Sequence, residues 1–355
     1  MQFASDCFLI VGDARNADFY YLTKFRTTDP CIYLICKDGT ELLVVPSMEL
    51  RRAERESKVK EIACYEELGY KELIEKTKDR RLAFSELIIQ ILKECRARSV
   101  SIPHETPAFL AFKLKEEFDL NFENPVKARR VVKSAQEIEN IKEVARITVE
   151  AFDWLMRNFN FKRCEEVRNA IELKLYEIGC IAEKTIASRV NLYADPHALG
   201  SVDVEDHVVL DVFPRSRETL YYADFTRVLL LNKNEKIEEM YRAVVEAQEK
   251  AISIIKDGIL ANEVHAEVKS ILEGYGFKSK NSEGFIHSTG HGIGLEIHEE
   301  PRISDEKVEL KAGMVITVEP GLYYKDVGGV RVEDTVVVTK SGCEVLTNYK
   351  KWIKV

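Results

Sequence analysis

Four carboxylates interrupt sequence that otherwise reads as buried strand, and they restrict the possible folds more than any other feature of the chain. Asp211 stands in Val208-Val209-Leu210-Asp211-Val212-Phe213, and Asp224 in Tyr221-Tyr222-Ala223-Asp224-Phe225-Thr226. Glu319 closes Val315-Ile316-Thr317-Val318, and Glu333 lies in Val330-Arg331-Val332-Glu333-Asp334-Thr335. An ionised carboxylate buried alone is costly, so each needs a cation, a hydrogen-bonding cage or a proton. The first two are 13 positions apart, a spacing that lets them face each other across a hairpin, and the second two are 14 apart. Four carboxylates around one centre repel strongly unless multivalent cations hold them together. One divalent ion leaves too much negative charge; two, with an imidazole completing the set, give a site of the kind that activates water.

The imidazole is expected from His287-Ser-Thr-Gly-His291-Gly-Ile-Gly-Leu-Glu-Ile-His298, where three of the chain's seven histidines fall within twelve residues. Gly290, Gly292 and Gly294 allow turns and close approach of the backbone to a bound group. A single isolated histidine would carry little weight. Three beside four strand acids offer a ligand plus acid, base or hydrogen-bonding groups.

A length of 355 residues fits two domains, given roughly 150 residues for one. The first 125 or so alternate short β-branched runs with helical patterns, as in an α/β layer. Strands are expected at Phe8–Val11, Cys31–Cys36 and Glu41–Val45, the last two joined by a turn at Lys37-Asp38-Gly39-Thr40. Asn121–Lys133, with Pro125 and the basic run Lys127, Arg129, Arg130 and Lys133, reads as an extended, solvated linker. Ser134 and Glu137 then form a capping box for a helix to about Phe159, followed by a second helix from Cys164. Two helices and then strands recur after Asn232, which suggests a duplicated architecture. The expected fold class is α+β, with domains at 1–126 and 127–355.

Composition excludes several functions. A net charge of -8 argues against nucleic acid as a partner. No apolar run approaches the roughly 18 residues of a membrane span, and the N-terminal segment is not a signal peptide, so a cytoplasmic protein is expected. Cys7, Cys31, Cys36, Cys64, Cys95, Cys164, Cys180 and Cys343 never adopt CxxC spacing and read as packing residues in a reducing compartment.

At the four acids and the histidine segment the chain resembles the pita-bread-fold metallopeptidases, which include Xaa-Pro dipeptidase (prolidase), aminopeptidase P and methionine aminopeptidase. The resemblance covers most of residues 127–355. More weakly it extends to the N-terminal domain, where Asn16-Ala-Asp-Phe-Tyr20-Tyr21-Leu22 looks like the opening of a creatinase-type domain. It implies a pita-bread domain of duplicated helix-helix-antiparallel-strand halves behind an N-terminal α/β creatinase-type domain, and that second domain points to the proline-directed branch. The implied metal ligands are Asp211, Asp224, His291, Glu319 and Glu333, with Asp224 and Glu333 bridging two divalent ions. Mn²⁺ is the first choice on ligand hardness, with Co²⁺, Fe²⁺ and Zn²⁺ as alternatives.

By the same resemblance Glu319 moves the proton from water to the leaving proline nitrogen, and His298 hydrogen-bonds the carbonyl oxygen. His197, in Ala194-Asp195-Pro196-His197, belongs to a substrate-binding loop, and His287 supports the pocket for proline. Arg302 matches an arginine that faces the free carboxylate of a dipeptide. Arg331, two residues before Glu333, should share its strand face and orient a carboxylate. Two departures affect the pocket for the N-terminal side chain. Asp211-Val-Phe-Pro214-Arg215 replaces Asp-x-Gly-Ala, with about two extra residues before Asp224, and Arg189 stands where glycine is common. Xaa-Pro dipeptides are the expected substrates and a homodimer the expected assembly. Aminopeptidase P, acting on longer peptides, is the alternative, and a metal-free scaffold protein of this fold a distant one.

Overall fold

The computed structural model describes residues 1–188, 196 and 203–355. The described chain divides into two compact units, Met1–Arg130 and Val131–Val355. In the first, β1 (Cys7–Gly12), α1 (Ala17–Thr23), β2 (Cys31–Cys36), β3 (Glu41–Val45), α2 (Leu50–Glu56) and β4 (Glu61–Cys64) are followed by α3 (Tyr70–Thr77) and α4 (Arg80–Glu94). Then come β5 (Ser99–Ile102), α5 (Ala108–Lys115), β6 (Asp119–Phe122) and α6 (Pro125–Val131). The strands form one mixed sheet in the order β4-β3-β2-β1-β5-β6. The β2–β3 turn forms as its sequence demands: Gly39 takes a φ of 98°, and the Cys36 N–H donates to the Thr40 carbonyl at 2.8 Å.

Two expectations fail in this unit. The linker expected over Asn121–Lys133 instead contains the end of strand β6 and the whole of helix α6. Proline is well suited to a first helical position, where its missing N–H is not needed. Arg130, read as part of a solvated run, is buried and donates to Asp18 Oδ1 at 2.5 Å. The cysteines are not all separate packing residues either: Cys7 and Cys36 are paired across β1 and β2 and form a disulfide.

The second unit repeats helix-helix-strands. Its first half is α7 (Ala135–Arg157), α8 (Cys164–Glu177), β7 (Cys180–Ile181), β8 (Ile186–Ser188), β9 (His207–Val212), β10 (Arg215–Ser216) and β11 (Phe225–Leu230). The second half is α9 (Glu235–Ile254), α10 (Ala261–Gly274), β12 (Gly290–Gly292), β13 (Glu299–Ile303), β14 (Val315–Val318), β15 (Gly321–Tyr324), β16 (Gly328–Arg331) and β17 (Glu333–Val338), with β18 (Cys343–Val345) and β19 (Ile353–Lys354) at the end. The capping box at Ser134 and Glu137 starts α7 as expected. α7 and α8 pack Phe152, Val167 and Ile171 into one core with Leu210, Val212 and Phe225. α9 and α10 pack Val244, Ala247 and Val264 into another with Ile316, Val318 and Val336.

Both halves feed a single sheet, in the order β13-β12-β14-β17-β11-β9-β8, and meet where β11 pairs with β17. The run Gly329–Thr339 is not one strand. β16 pairs with β15 in a separate ribbon, and the chain crosses to the large sheet at Val332. Pro320 breaks the neighbouring run at the matching place because it has no N–H for the ladder. Arg331 and Glu333 therefore end one strand and begin the next rather than sharing a strand face.

Candidate metal centre

The sheet order places the five expected ligands on or at the ends of five consecutive strands. His291 is central in β12, Glu319 follows β14, Glu333 opens β17, Asp224 precedes β11, and Asp211 lies in β9. Register then brings their side chains to one face. Thr226 is opposite Asp211 on one side and opposite Glu333 on the other, and Asp224 is two residues from Thr226. Paired residues and residues two apart share a face, so Asp211 and Asp224 meet diagonally across their hairpin. Ligating atoms of Asp224, His291 and Glu333 lie within 4.8 Å of one another. His291 Nε2 is 3.4 Å from Glu319 Oε1 and 3.9 Å from Asp224 Oδ2.

The electrostatics of this cluster call for cations. Burial, together with the charges of Glu333, Asp211 and Glu319, pushes the Asp224 carboxyl well above the usual range. Burial, with Glu319 and Asp211, does the same to Glu333. Burial lowers the His291 pKa, favouring neutral imidazole. Its Nδ1 lies 3.0 Å from the Gly292 carbonyl, which can only accept, so the proton sits there and the Nε2 lone pair faces the acids. Asp211 Oδ1 is buried without a hydrogen-bond partner, although Oδ2 accepts from Arg331 Nη2 at 2.5 Å. Lone pairs converge on lone pairs, and hard oxygen donors with one nitrogen suit divalent metal ions.

Three threonines missed at the sequence level hold the cluster in place. Thr226 Oγ1 donates to Glu333 Oε2 at 2.7 Å, and Thr317 Oγ1 accepts from the His291 N–H at 3.0 Å. Thr335 Oγ1 accepts from the Asp224 N–H at 3.0 Å and donates to the Asp224 carbonyl at 2.8 Å. Each is two residues from an acid, in Asp224-x-Thr226, Thr317-x-Glu319 and Glu333-x-Thr335, which was the available signal. Tyr323 was also missed. Its hydroxyl accepts from Arg331 Nη1 at 2.7 Å and lies 3.1 Å from His287 Nε2, and burial pushes its pKa up to about 12.

The remaining expected residues are distributed around this centre. The His298 ring is exposed and lies edge-on to His291 with 4.4 Å between centroids. Arg302 is paired directly opposite His291 across β12 and β13, hence on the same face, and is exposed. His287 is half-buried, with Nδ1 2.8 Å from the Ser288 carbonyl. His197 and Arg189 lie outside the described residues. Gly290 and Gly292 are required by strand packing. A Cβ on Gly290 would come within 2.0 Å of the Thr317 carbonyl oxygen, and one on Gly292 within 2.1 Å of that of Glu300. The extra residues after Asp211 build β10, which pairs with β7, and a bridge from Arg215 to Tyr222.

Known proteins share both domains. Residues 139–340 match metallopeptidase family M24, and residues 4–124 match the creatinase/prolidase N-terminal domain. An Xaa-Pro dipeptidase of Pyrococcus furiosus is 34% identical over 354 residues, covering 95% of this chain and 93% of that protein. An uncharacterised peptidase of Methanocaldococcus jannaschii is 37% identical over 238 residues, or 62% of this chain and 65% of that one. Among solved structures, an Xaa-Pro dipeptidase from Bacillus anthracis superposes with a TM-score of 0.85 at 26% identity, covering 99% of this chain and 95% of that one. An X-Pro aminopeptidase from Thermotoga maritima gives 0.84 at 27% identity, covering 99% and 98%. With a catalytic-domain match over more than half its length and relatives aligned from end to end, the chain belongs to metallopeptidase family M24.

Proposed function

We propose that the protein is an Xaa-Pro dipeptidase whose chemistry lies in residues 127–355, with residues 1–126 as its creatinase-type domain. The observation that carries this reading is the convergence of Asp211, Asp224, His291, Glu319 and Glu333 from five neighbouring strands. These residues would hold two divalent ions, Mn²⁺ first and Co²⁺, Fe²⁺ or Zn²⁺ as alternatives. Bound there, such ions supply Lewis acidity that lowers the pKa of water and polarises a peptide carbonyl.

Glu319 is the least buried of the four acids, with 16% of its side chain exposed. That exposure suits it to take a proton from the attacking water and deliver it to the proline nitrogen. His298 donates to the carbonyl oxygen as charge builds there, a contribution whose loss typically costs about a hundredfold or more in rate. Arg302, on the face of His291, grips the substrate's free carboxylate through its planar fork. His287 lines the proline pocket, and His197 contacts substrate. Arg331 orients Asp211. Arg302 favours a dipeptidase over an aminopeptidase of longer peptides, because a longer chain has no carboxylate at that position. We place the enzyme in the cytoplasm as a homodimer.

Metal analysis of the purified chain, followed by hydrolysis assays after reconstitution, tests this function. The expected result is two ions per chain and faster cleavage of Ala-Pro than of a proline-second tripeptide. Faster cleavage of the tripeptide favours the aminopeptidase. Absence of metal together with absence of hydrolysis of either substrate refutes the peptidase reading.

A further inference from the structure

On the side of β11 and β17 away from the carboxylates lies a second buried polar group that hydrolysis does not use. Arg227 is fully buried and every guanidinium N–H is taken. Nε donates to the Lys350 carbonyl at 3.3 Å, and Nη1 to the carbonyls of Thr226 at 2.9 Å and Glu333 at 2.7 Å. Nη2 donates to Asp334 Oδ1 at 2.7 Å and to the Tyr349 carbonyl at 3.1 Å. Asp334 is equally buried and equally satisfied. Its Oδ1 also accepts from Thr347 Oγ1 at 3.1 Å, and its Oδ2 from Gln248 Nε2 at 3.1 Å and from Lys351 Nζ. Gln248, on α9, gives its other N–H to the Val318 carbonyl at 3.0 Å and accepts from Lys351.

Three of the network's five backbone acceptors fall at or beside residues of the proposed metal centre, the carbonyls of Thr226, Glu333 and Val318, which precedes Glu319, and the other two, Tyr349 and Lys350, lie in the C-terminal segment. Side chains alternate along a strand, so Thr226 and Glu333 face the centre while Arg227 and Asp334 face away from it. Buried ion pairs of this kind are often replaceable by apolar residues without loss of stability, so the core does not require them. Geometry does. Before metal binds, no ion holds β11, β14 and β17 at ligand spacing, and apolar contacts are non-directional and resist small displacements weakly. Directed hydrogen bonds from a rigid guanidinium resist them well.

We propose that Arg227, Asp334, Gln248 and Lys351, with the C-terminal segment Tyr349–Lys351, are positioning residues that hold Glu333 and Glu319 at metal-binding spacing before ions arrive. The proposal rests on the reading of those two glutamates as ligands. The C-terminal segment thereby becomes part of the metal site without touching it.

Gln248→Met and Lys351→Met each remove part of the network and leave the Arg227–Asp334 pair intact. Titration of the full metal-free chain with Co²⁺, followed by visible absorption, reports affinity and ligand geometry independently of turnover. Each variant is expected to raise the binding midpoint by roughly tenfold to a hundredfold and to alter the absorption spectrum. Each variant leaves a buried partner unsatisfied and should melt somewhat lower without metal, yet stay folded at the titration temperature, and Lys351→Arg should restore binding. Lys354→Ala, exposed on β19, should bind as the unaltered chain does. Unaltered midpoints and spectra, or weakening that only follows unfolding of the metal-free protein, overturn the proposal alone. An unaltered chain that takes up no Co²⁺ overturns the ligand reading and the proposal with it.

Discussion

Thr226 shows how little separates a ligand from an ordinary buried acid. Its hydroxyl fixes one oxygen of Glu333 and leaves the other to face the centre. A hydrogen bond to a charged group contributes about 1.5–3 kcal/mol. Thr226→Val should therefore weaken Co²⁺ binding by roughly tenfold or more at unchanged far-UV circular dichroism; equal affinity would show that the hydroxyl does not position Glu333. Asp224 and Glu333 also set a pH dependence for the metal-free protein. Their folded pKa values are raised, so the folded state keeps protons that the unfolded state releases. Their contribution to stability is greatest in acid and falls as pH rises from about 4, through the ordinary carboxylate range, to the raised folded values. Asp224→Asn with Glu333→Gln removes that loss. The metal-free double variant should melt above the unaltered protein near about pH 8 and converge with it near about pH 4.5, whereas a gap independent of pH would contradict the argument. The acids were legible because each interrupts an apolar pattern and His291 because it lies in a glycine-flanked cluster of three histidines, and the threonines were legible in principle from their two-residue spacing. Tyr323 was not, since nothing local indicates that its hydroxyl will reach Arg331 across β15 and β16.

At the scale of elements, periodicity and caps carried most of the structure. α7 begins at its capping box, and α9 and α10 fall where the helical pattern recurs. What failed needed a distant partner to be seen. The basic run before Lys133 was read as solvated because Asp18, which receives Arg130, is 112 residues away in sequence. Cys7 and Cys36 were read as separate thiols because only strand register brings them opposite each other. Truncating Arg130 tests the first of these corrections. Arg130→Met leaves the buried Asp18 carboxylate without its guanidinium, a loss of about 3–5 kcal/mol for a broken buried pair. The urea midpoint of the first unit should fall, and adding Asp18→Asn should recover most of it. A midpoint unmoved by Arg130→Met would return the segment to the solvated reading.

For the whole molecule, duplication explains why the acids and His291 converge where they do. Each half brings its own acids, and the site forms where the two sets of strands join at β11 and β17. Neither half alone carries all five proposed ligands: Asp211 and Asp224 come from the first, and His291, Glu319 and Glu333 from the second. Metal should therefore stabilise the junction of the halves rather than either separately. Among the described residues the buried apolar clusters each stay within one of the two units, so the strands expected to gain from metal are β9, β11, β12, β14 and β17, not β1–β6. At a free ion concentration of 100 times the dissociation constant, each site adds about 2.7 kcal/mol to the state that binds it. Hydrogen exchange with and without Mn²⁺ reads this directly. Amides of the five strands that carry the proposed ligands should exchange more slowly with metal, by roughly a hundredfold for each ion lost when the junction opens, while β1–β6 stay unchanged. Equal protection of both units would mean that the ions stabilise the chain as a single body, and slowing confined to one half would mean that the site does not bridge the duplication.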